Sequence, residues 1–361
     1  MKKQTKEAIQ LLRTLISIES YSKTENKTAD EIAIYLNEKG IVTNRVLNNV
    51  WAVNKHFDSN KPTILLNSHH DTVKPNSKYT RDPFCPFIEN GKLYGLGSND
   101  AGGALVSLMA CFIYFYQRKN LTFNLLFAAT AEEEISGSNG IEKILPLLGN
   151  INFGLVGEPT KMNMAIAEKG LVVLDCVAHG VAGHTAREEG ENAIYKALKD
   201  IEWFRTFKFP EISKTLGEVK MTVSLLNAGS QHNIVPDTCS FTVDVRTTDA
   251  YSNNETVELI KQNVTCEVIP RSVRLNSSSI HIDHPIVQAG VSMGLFPYGS
   301  PTLSDQSLMK FPTLKMGPGD SARSHTADEF IFIQEIEEAV EVYIQLFENL
   351  TLDKSFLFNL N

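Results

Sequence analysis

Three short apolar runs, PTILLNS at 62–68, LTFNLLFAAT at 121–130 and FGLVGE at 153–158, constrain this chain more than any other feature. None alternates polar with apolar residues, so each reads as a strand buried on both faces. The stretch 100–117, behind a Gly-rich turn, separates the first two, and 138–148 separates the last two. Both read as helices. Buried strands alternating with helices predict a largely parallel α/β sheet with helices on both faces. Two amphipathic helices precede it. Residues 3–18 place Ala8, Leu11, Leu12, Leu15 and Ile16 at helical spacing, and 28–39 repeat the pattern before Gly40 stops it.

The pattern changes near residue 171. LVVLDCVAHG reads as a strand, 190–207 as an amphipathic helix, and KMTVSLLNAG (220–229) and SFTVDVRTT (240–248) as two alternating strands. A helix over 251–262 and a strand over 264–270 complete the order strand–helix–strand–strand–helix–strand, the split βαβ signature of a ferredoxin-like unit. A helix at 284–294, a strand at 312–316 and a helix at 333–349 then return to the α/β pattern. At 361 residues the chain is long for one core. The expected organisation is a larger domain of residues 1–170 and 277–361, with a small domain, 171–276, inserted in it.

Charge and cysteine usage narrow the function. A net charge of −8, a pI of about 5.7 and no basic run argue against nucleic acid or an anionic membrane as partner. MKKQTKEAIQ has lysines but no apolar core behind them, so it does not read as a signal peptide. The apolar run from Ala104 to Tyr116 falls short of the roughly 20 residues of a membrane span. Cys85, Cys111, Cys176, Cys239 and Cys266 are odd in number and form no CxxC pair. That fits reduced thiols in the cytoplasm rather than disulfides or a sulfur-ligated zinc.

The buried runs end in chemistry. After PTILLNS come His69, His70 and Asp71; on an extended strand His69 and Asp71 share a face, and a carboxylate so placed can orient a metal-binding imidazole. Asp100 sits where the Gly-rich turn meets a helix start. Gly95 and Gly97 lack the GxGxxG spacing and the Gly-Lys-Ser/Thr end of phosphate loops. Glu132, Glu133 and Glu134 follow LTFNLLFAAT, although two carboxylates ~4 Å apart repel by about 4 kcal/mol at an effective dielectric of 20. Glu158 follows the third run, and His325 lies far along the chain in SARSHTADE. Taken singly, each has an ordinary reading as a surface pair, an N-cap or a solvated turn. Taken together they gather at the carboxyl ends of strands, where open α/β sheets place function. Histidine nitrogens and carboxylate oxygens without thiols suit Zn²⁺, Co²⁺ or Mn²⁺. Two histidines and several carboxylates exceed what one zinc takes, which points to two metals.

The motifs HHDTV, GLGSNDAGG, AEEEISG, VGEPT and SHTADE, in this order, resemble the co-catalytic di-zinc metallopeptidase and deacylase family of acetylornithine deacetylase, aminoacylase, succinyl-diaminopimelate desuccinylase and related carboxypeptidases. The resemblance covers essentially the whole chain, and within the family it points to the acetylornithine deacetylases. It implies a zinc-exopeptidase-like α/β catalytic domain with an inserted ferredoxin-like (βαββαβ) dimerisation domain, and a homodimer formed through it. It further implies that Asp100 bridges two divalent ions, Zn²⁺ or alternatively Co²⁺. His69 and Glu158 would complete one ion, Glu134 and His325 the other. Glu133 matches the general base and Asp71 the acid that supports the first ligand. GVAGHTA matches the segment whose histidine, His184, reaches the partner subunit's active site, and QHNIVPD and VDVRTTD supply substrate contacts at Asn233 and Arg246. The doubled His69–His70 departs from the common His-x-Asp context, though the spacing to Asp71 still selects His69. Glu132 stands where many relatives carry Asp.

Arg246 is the candidate for a substrate α-carboxylate, since a guanidinium pairs bidentately with it. Arg187 and Arg323 adjoin catalytic motifs and are candidates for a second carboxylate, which leaves acetyl and succinyl, and ornithine and citrulline, all open. The implied activity is hydrolysis of an N-acyl amino acid in arginine biosynthesis. The alternatives are a diaminopimelate desuccinylase, a dipeptidase and, in another class, a non-catalytic amino-acid-binding protein, which would not need Glu133.

Overall fold

The sheet at the centre of the larger unit shows why the three runs carry no polar alternation. In the computed structural model, which describes residues 3–187 and 189–352, the strands Thr63–His69, Asn124–Thr130 and Phe153–Val156 are buried along their whole length. Ile64, Leu66, Leu125, Phe127 and Ala129 face one apolar cluster, while Leu65, Leu126 and Ala128 face another. Successive side chains point to opposite faces, and both faces are covered, so the middle of each strand is apolar on both sides and the polar residues fall towards its ends.

The strand order is Asn44–Val46, Asn49–Val53, Asn124–Thr130, Thr63–His69, Phe153–Val156, Thr313–Lys315, Met164–Glu168. The pairs from Asn124–Thr130 through Thr313–Lys315 are parallel. Asn49–Val53 and Met164–Glu168 join them antiparallel. The expected parallel sheet is therefore the middle of a mixed one. On one face the helix Gly103–Phe115 packs with Lys3–Ile16 and Ile333–Asn349, with Phe115 edge-on to Phe347 at 6.2 Å. Because helix Gly103–Phe115 is covered on nearly all sides, it has no polar stripe.

Two expectations need correcting. The helix expected over 138–148 is only Ile141–Ile144 followed by a 3₁₀ turn, Leu145–Leu147. Pro146 lacks an N–H to continue the α-helical ladder. The hairpin of Asn44–Val46 with Asn49–Val53 and the small sheet of Phe87–Glu89, Lys92–Tyr94 and Phe330–Phe332 add to the expected elements, because strands this short carry no readable period.

The smaller unit is an antiparallel sheet in the order Lys220–Ala228, Thr238–Thr247, Gly170–His179, Glu267–Pro270. The helices Ala193–Thr206 and Asn253–Lys261 complete the βαββαβ order. Alternation is clean here: Val172, Leu174, Cys176 and Ala178 are buried and the residues between them are partly exposed. Ser252 and Glu255 form a capping box at the second helix. The described residues divide into one unit ending at Ile166 and resuming over Ser279–Tyr298 and from Ser304, and another of Ala167–Ser278 with Gly299–Leu303. That last segment, which the sequence assigns to the larger domain, belongs with the smaller unit: Gly299 lies so close to Thr215 that a Cβ would stand 2.3 Å from its carbonyl oxygen. Among the described residues no helix is long and apolar enough to cross a membrane.

Candidate metal centre

Because Asn124–Thr130, Thr63–His69 and Phe153–Val156 are adjacent and parallel, their carboxyl ends open on the same side. His69 ends the middle strand and is 1% exposed. Its Nε2 lies 3.3 Å from Asp100 Oδ1, 3.7 Å from Glu158 Oε1 and 3.9 Å from Glu133 Oε2. His325 Nε2 lies 2.9 Å from Glu134 Oε2 and 3.7 Å from Asp100 Oδ2. The two oxygens of Asp100 thus address two different histidines. Ligand-type atoms of His69, Asp100 and Glu134 fall within 4.8 Å of one another, and so do those of His69, Glu133 and Glu158.

Local structure explains how each group is held. His69 Nδ1 is 3.0 Å from the Asp71 carbonyl oxygen. A carbonyl only accepts, so Nδ1 carries a proton, and Nε2 is the nitrogen turned towards the carboxylates. The Asp71 carboxylate, expected to orient His69, is farther from Nδ1 at 3.5 Å. It is occupied instead by the backbone N–H groups of Glu133 (3.1 Å) and Glu134 (3.3 Å) and by the Ser22 hydroxyl (2.6 Å). Asp71 therefore supports both the His69 strand end and the glutamate turn.

Asp100 caps no helix through its side chain, which removes the N-cap reading. The Glu329 carboxylate accepts the N–H groups of Gly97 (3.1 Å), Asn99 (2.8 Å) and Asp100 (2.9 Å) and shapes the loop. Gly97 is needed there: its φ is +75°, and a Cβ would stand 2.6 Å from Thr72 Cγ2. The Asp100–Ala101 peptide is cis.

The electrostatics of the cluster are those of an acidic site short of positive charge. Burial lifts Glu158 to about 8, with Asp100 and Glu134 adding to the rise. Burial also lifts Glu133 well above the usual carboxylate range, and Glu158, Asp305 and Glu134 push it further. The Glu134 hydrogen bond holds His325 up at about 9. Burial alone would lower His69, but Glu133, Asp100, Asp71 and Glu158 together raise it well above an ordinary imidazole. Burial likewise opposes the charge on Asp100, and the His69 contact nevertheless draws it down. Five carboxyl groups thus face two imidazoles. Nitrogen and oxygen donors without sulfur, desolvated and crowded, fit a pair of divalent cations, whose charge would offset the repulsion.

Several supporting groups carry no readable signal in the sequence. Glu329 closes the SHTADE motif with nothing in its spacing to mark it; burial and Asp100 raise it to about 8. Asp305, buried, accepts from Thr130 Oγ1 (2.8 Å) and Asn67 Nδ2 (3.2 Å) and so ties two ligand-bearing strands together. Glu132 turns away from the cluster and accepts from the side chain (3.0 Å) and backbone (3.3 Å) of Asn139. His70 is held by Thr28 Oγ1 (2.9 Å) and the Asn48 carbonyl (2.8 Å), and burial keeps it neutral by lowering it to about 4.

The remaining candidates belong to other parts of the fold. In the smaller unit, His184 is exposed on a two-stranded ribbon, Gly183–His184 with Ile234–Val235. Thr185 N–H donates to the Asn233 carbonyl at 3.2 Å, which brings His184 and Asn233 to one ribbon end. Arg187 is exposed beside Glu189 at 3.8 Å. Arg246 is paired through two nitrogens with Asp244 at 2.8 and 3.1 Å. Arg323, in the larger unit, makes two 2.7 Å bonds to Glu335 and stacks over Phe330 and Phe332. Its fork is paired with Glu335 of the helix Ile333–Asn349.

Comparison with known proteins adds a family, relatives and a fold. Residues 65–349 match the model of Peptidase family M20/M25/M40. The chain is 26% identical over 387 residues to a probable carboxypeptidase of Ajellomyces capsulatus, covering 94% of this chain and 85% of that one. It is 27% identical over 311 residues to an acetylornithine deacetylase of Proteus mirabilis, covering 80% of each. Among solved structures it is similar to Bacillus subtilis YXEP, a dinuclear metal-binding peptidase from the M20 family, at 17% identity. The TM-score is 0.74, with 96% of this chain and 98% of that one covered. At that identity the last likeness speaks for the fold alone.

Proposed function

The chain belongs to Peptidase family M20/M25/M40, and from that footing we propose that it is a two-metal amidohydrolase. It removes the acetyl or succinyl group from N-acyl-ornithine or N-acyl-citrulline in arginine biosynthesis. One observation carries the reading: Asp100 presents Oδ1 to His69 and Oδ2 to His325, with Glu158 and Glu134 beside the respective histidines. His69, Glu158 and Asp100 would hold one divalent ion, and Asp100, Glu134 and His325 the other. Two such ions would supply Lewis-acid polarisation of the acyl carbonyl and would bring the pKa of a bound water from 15.7 towards ~7.

The chain's own groups do the rest. The Asp71 carbonyl keeps the Nδ1 proton on His69 and so fixes its tautomer. Glu133 is set beside His69, and burial raises its proton affinity. Its carboxylate takes the water proton as the oxygen adds to the acyl carbon. It returns that proton to the amine nitrogen as the C–N bond breaks, so the products are a carboxylic acid and a free amino acid. In a homodimer built through the smaller units, His184 of each protomer would donate to the oxyanion in the other. Asn233, on the same ribbon, would contact the substrate, and Arg187 would meet a succinyl carboxylate. Arg246 would exchange its Asp244 partner for the substrate α-carboxylate. The five cysteines are unbridged, which supports the cytoplasm as the setting.

The carboxypeptidase likeness favours a second reading, in which the scissile amide is a C-terminal peptide bond. The deciding experiment measures amine release from N-acetylornithine, N-acetylcitrulline, their N-succinyl counterparts, N-succinyl-diaminopimelate and a dipeptide panel, with and without chelator. Chelator-sensitive turnover of the acyl-ornithines or acyl-citrullines above the rest is expected. Preference for dipeptides would replace the first reading with the second, and no turnover of any amide would defeat both.

A further inference from the structure

The turn that carries Glu133 is held from an unexpected quarter. Glu132 and Ser136, on either side of the 3₁₀ turn Glu133–Ile135, have φ of +55° and +47°. Non-glycine residues in that region cost energy and persist only where the surroundings over-determine them. Here the surroundings are two buried carboxyl groups that take three successive backbone N–H groups. Asp71 accepts from Glu133 and Glu134. Glu25 Oε1 accepts from Glu132 at 3.1 Å, and Glu25 is fully buried.

Glu25 does not act alone. It stands at the start of the helix Asn26–Glu38, in the segment SYSKTENKT. Thr72 N–H donates to the Ser20 carbonyl at 2.9 Å, Ser22 Oγ donates to Asp71 Oδ2 at 2.6 Å, and Thr28 Oγ1 meets His70 Nδ1 at 2.9 Å. One short segment therefore holds the His69–Asp71 strand end and the glutamate turn at once. It lies ahead of the residues that match the family model, 65–349.

We propose that Glu25 is a positioning residue for Glu133, acting through the Glu132 N–H as the central member of a brace formed by Ser22, Glu25 and Thr28. Asp71 alone leaves the first N–H of the turn without an acceptor; with Glu25 in place the backbone enters the turn in one conformation. The inference rests on the amidohydrolase reading for the role of Glu133, but not for the brace itself.

Two readouts on the metal-loaded protein test it. Glu25→Met keeps the buried volume and removes the acceptor, so it carries the test even if Glu25→Ala fails to fold. Glu25→Met is expected to retain metal content and KM while kcat falls on the order of 10²-fold, as misplacement of a catalytic group by about 1 Å does. Glu25→Gln restores an acceptor and should recover most of that loss. In hydrogen exchange, the peptide covering 126–137 should exchange faster in Glu25→Met than in wild type and return towards wild type in Glu25→Gln. Unchanged kcat and exchange in Glu25→Met would overturn the proposal, as would equal loss in Met and Gln. Altered exchange in the Met variant of a protein whose wild type hydrolyses no amide would leave the brace standing and remove the function assigned to Glu133.

Discussion

Loading the centre with metal at pH 7 should expel protons, and Glu158 and His325 set a lower bound on their number. Glu158 lies at about 8 because it is buried among carboxylates, and His325 at about 9 because Glu134 holds its proton. At pH 7 a group with pKa 8 is protonated in ~90% of molecules and one with pKa 9 in ~99%. A ligand must be deprotonated to bind, so these two residues alone release about two protons per chain on saturation. The assay is calorimetric titration of metal-free protein with Zn²⁺ in buffers of different ionisation enthalpy, where the dependence of heat on buffer gives the proton count. The count should fall as pH rises through 8 and then 9. A count near zero at pH 7, or one that grows with pH, would refute the assignment of Glu158 and His325 as ligands. The same shifts bear on stability. Both groups have folded-state values above their ordinary ones, 4.5 for Glu158 and 6.5 for His325, so in those windows the metal-free fold binds more protons than the unfolded chain. Their contribution to the stability of the metal-free protein is therefore complete at low pH and lost progressively as pH rises to about 9, while metal-loaded protein is protected over that window.

Other outcomes can be checked with single variants. Glu133→Gln should keep its metals and lose about 10²–10⁴-fold in kcat, while Glu134→Gln lowers metal occupancy; the reverse pattern would invert the two roles. Exhaustive chelation should abolish turnover and lower the melting temperature, and full activity afterwards would end the two-metal mechanism. His184→Ala should fold, bind metal and lose most of kcat. Exchanging its subunits with Glu133→Gln should regain activity at one site per mixed dimer, and mixed dimers that form but stay inactive would show that His184 does not act across the interface.

How much of this protein is legible in its residues follows from the range over which each signal acts. Ile64, Leu65 and Leu66 announce a doubly covered strand because burial on both faces demands apolar neighbours one after another. The alternation of Val172, Leu174 and Cys176 announces a half-covered one for the same local reason. Ligand-type residues at the ends of such strands, at His69, Glu133, Glu134 and Glu158, mark the site, since parallel neighbours must end on one side. Short strands such as Phe87–Glu89 hold too few residues to show a period, and Pro146 cuts short a helix whose apolar spacing alone would carry it further.

What only the tertiary structure decided are the contacts between buried carboxylates and remote backbone. Glu329 takes three N–H groups around Asp100, Asp71 takes two from the glutamate turn, and Glu25 takes the one before them. The folded path likewise turned Glu132 towards Asn139 and paired Arg323 with Glu335. No period or spacing records which N–H groups fold back without a partner in their own strand or helix. That depends on where the chain turns, and a buried donor must find its acceptor wherever in the sequence one lies.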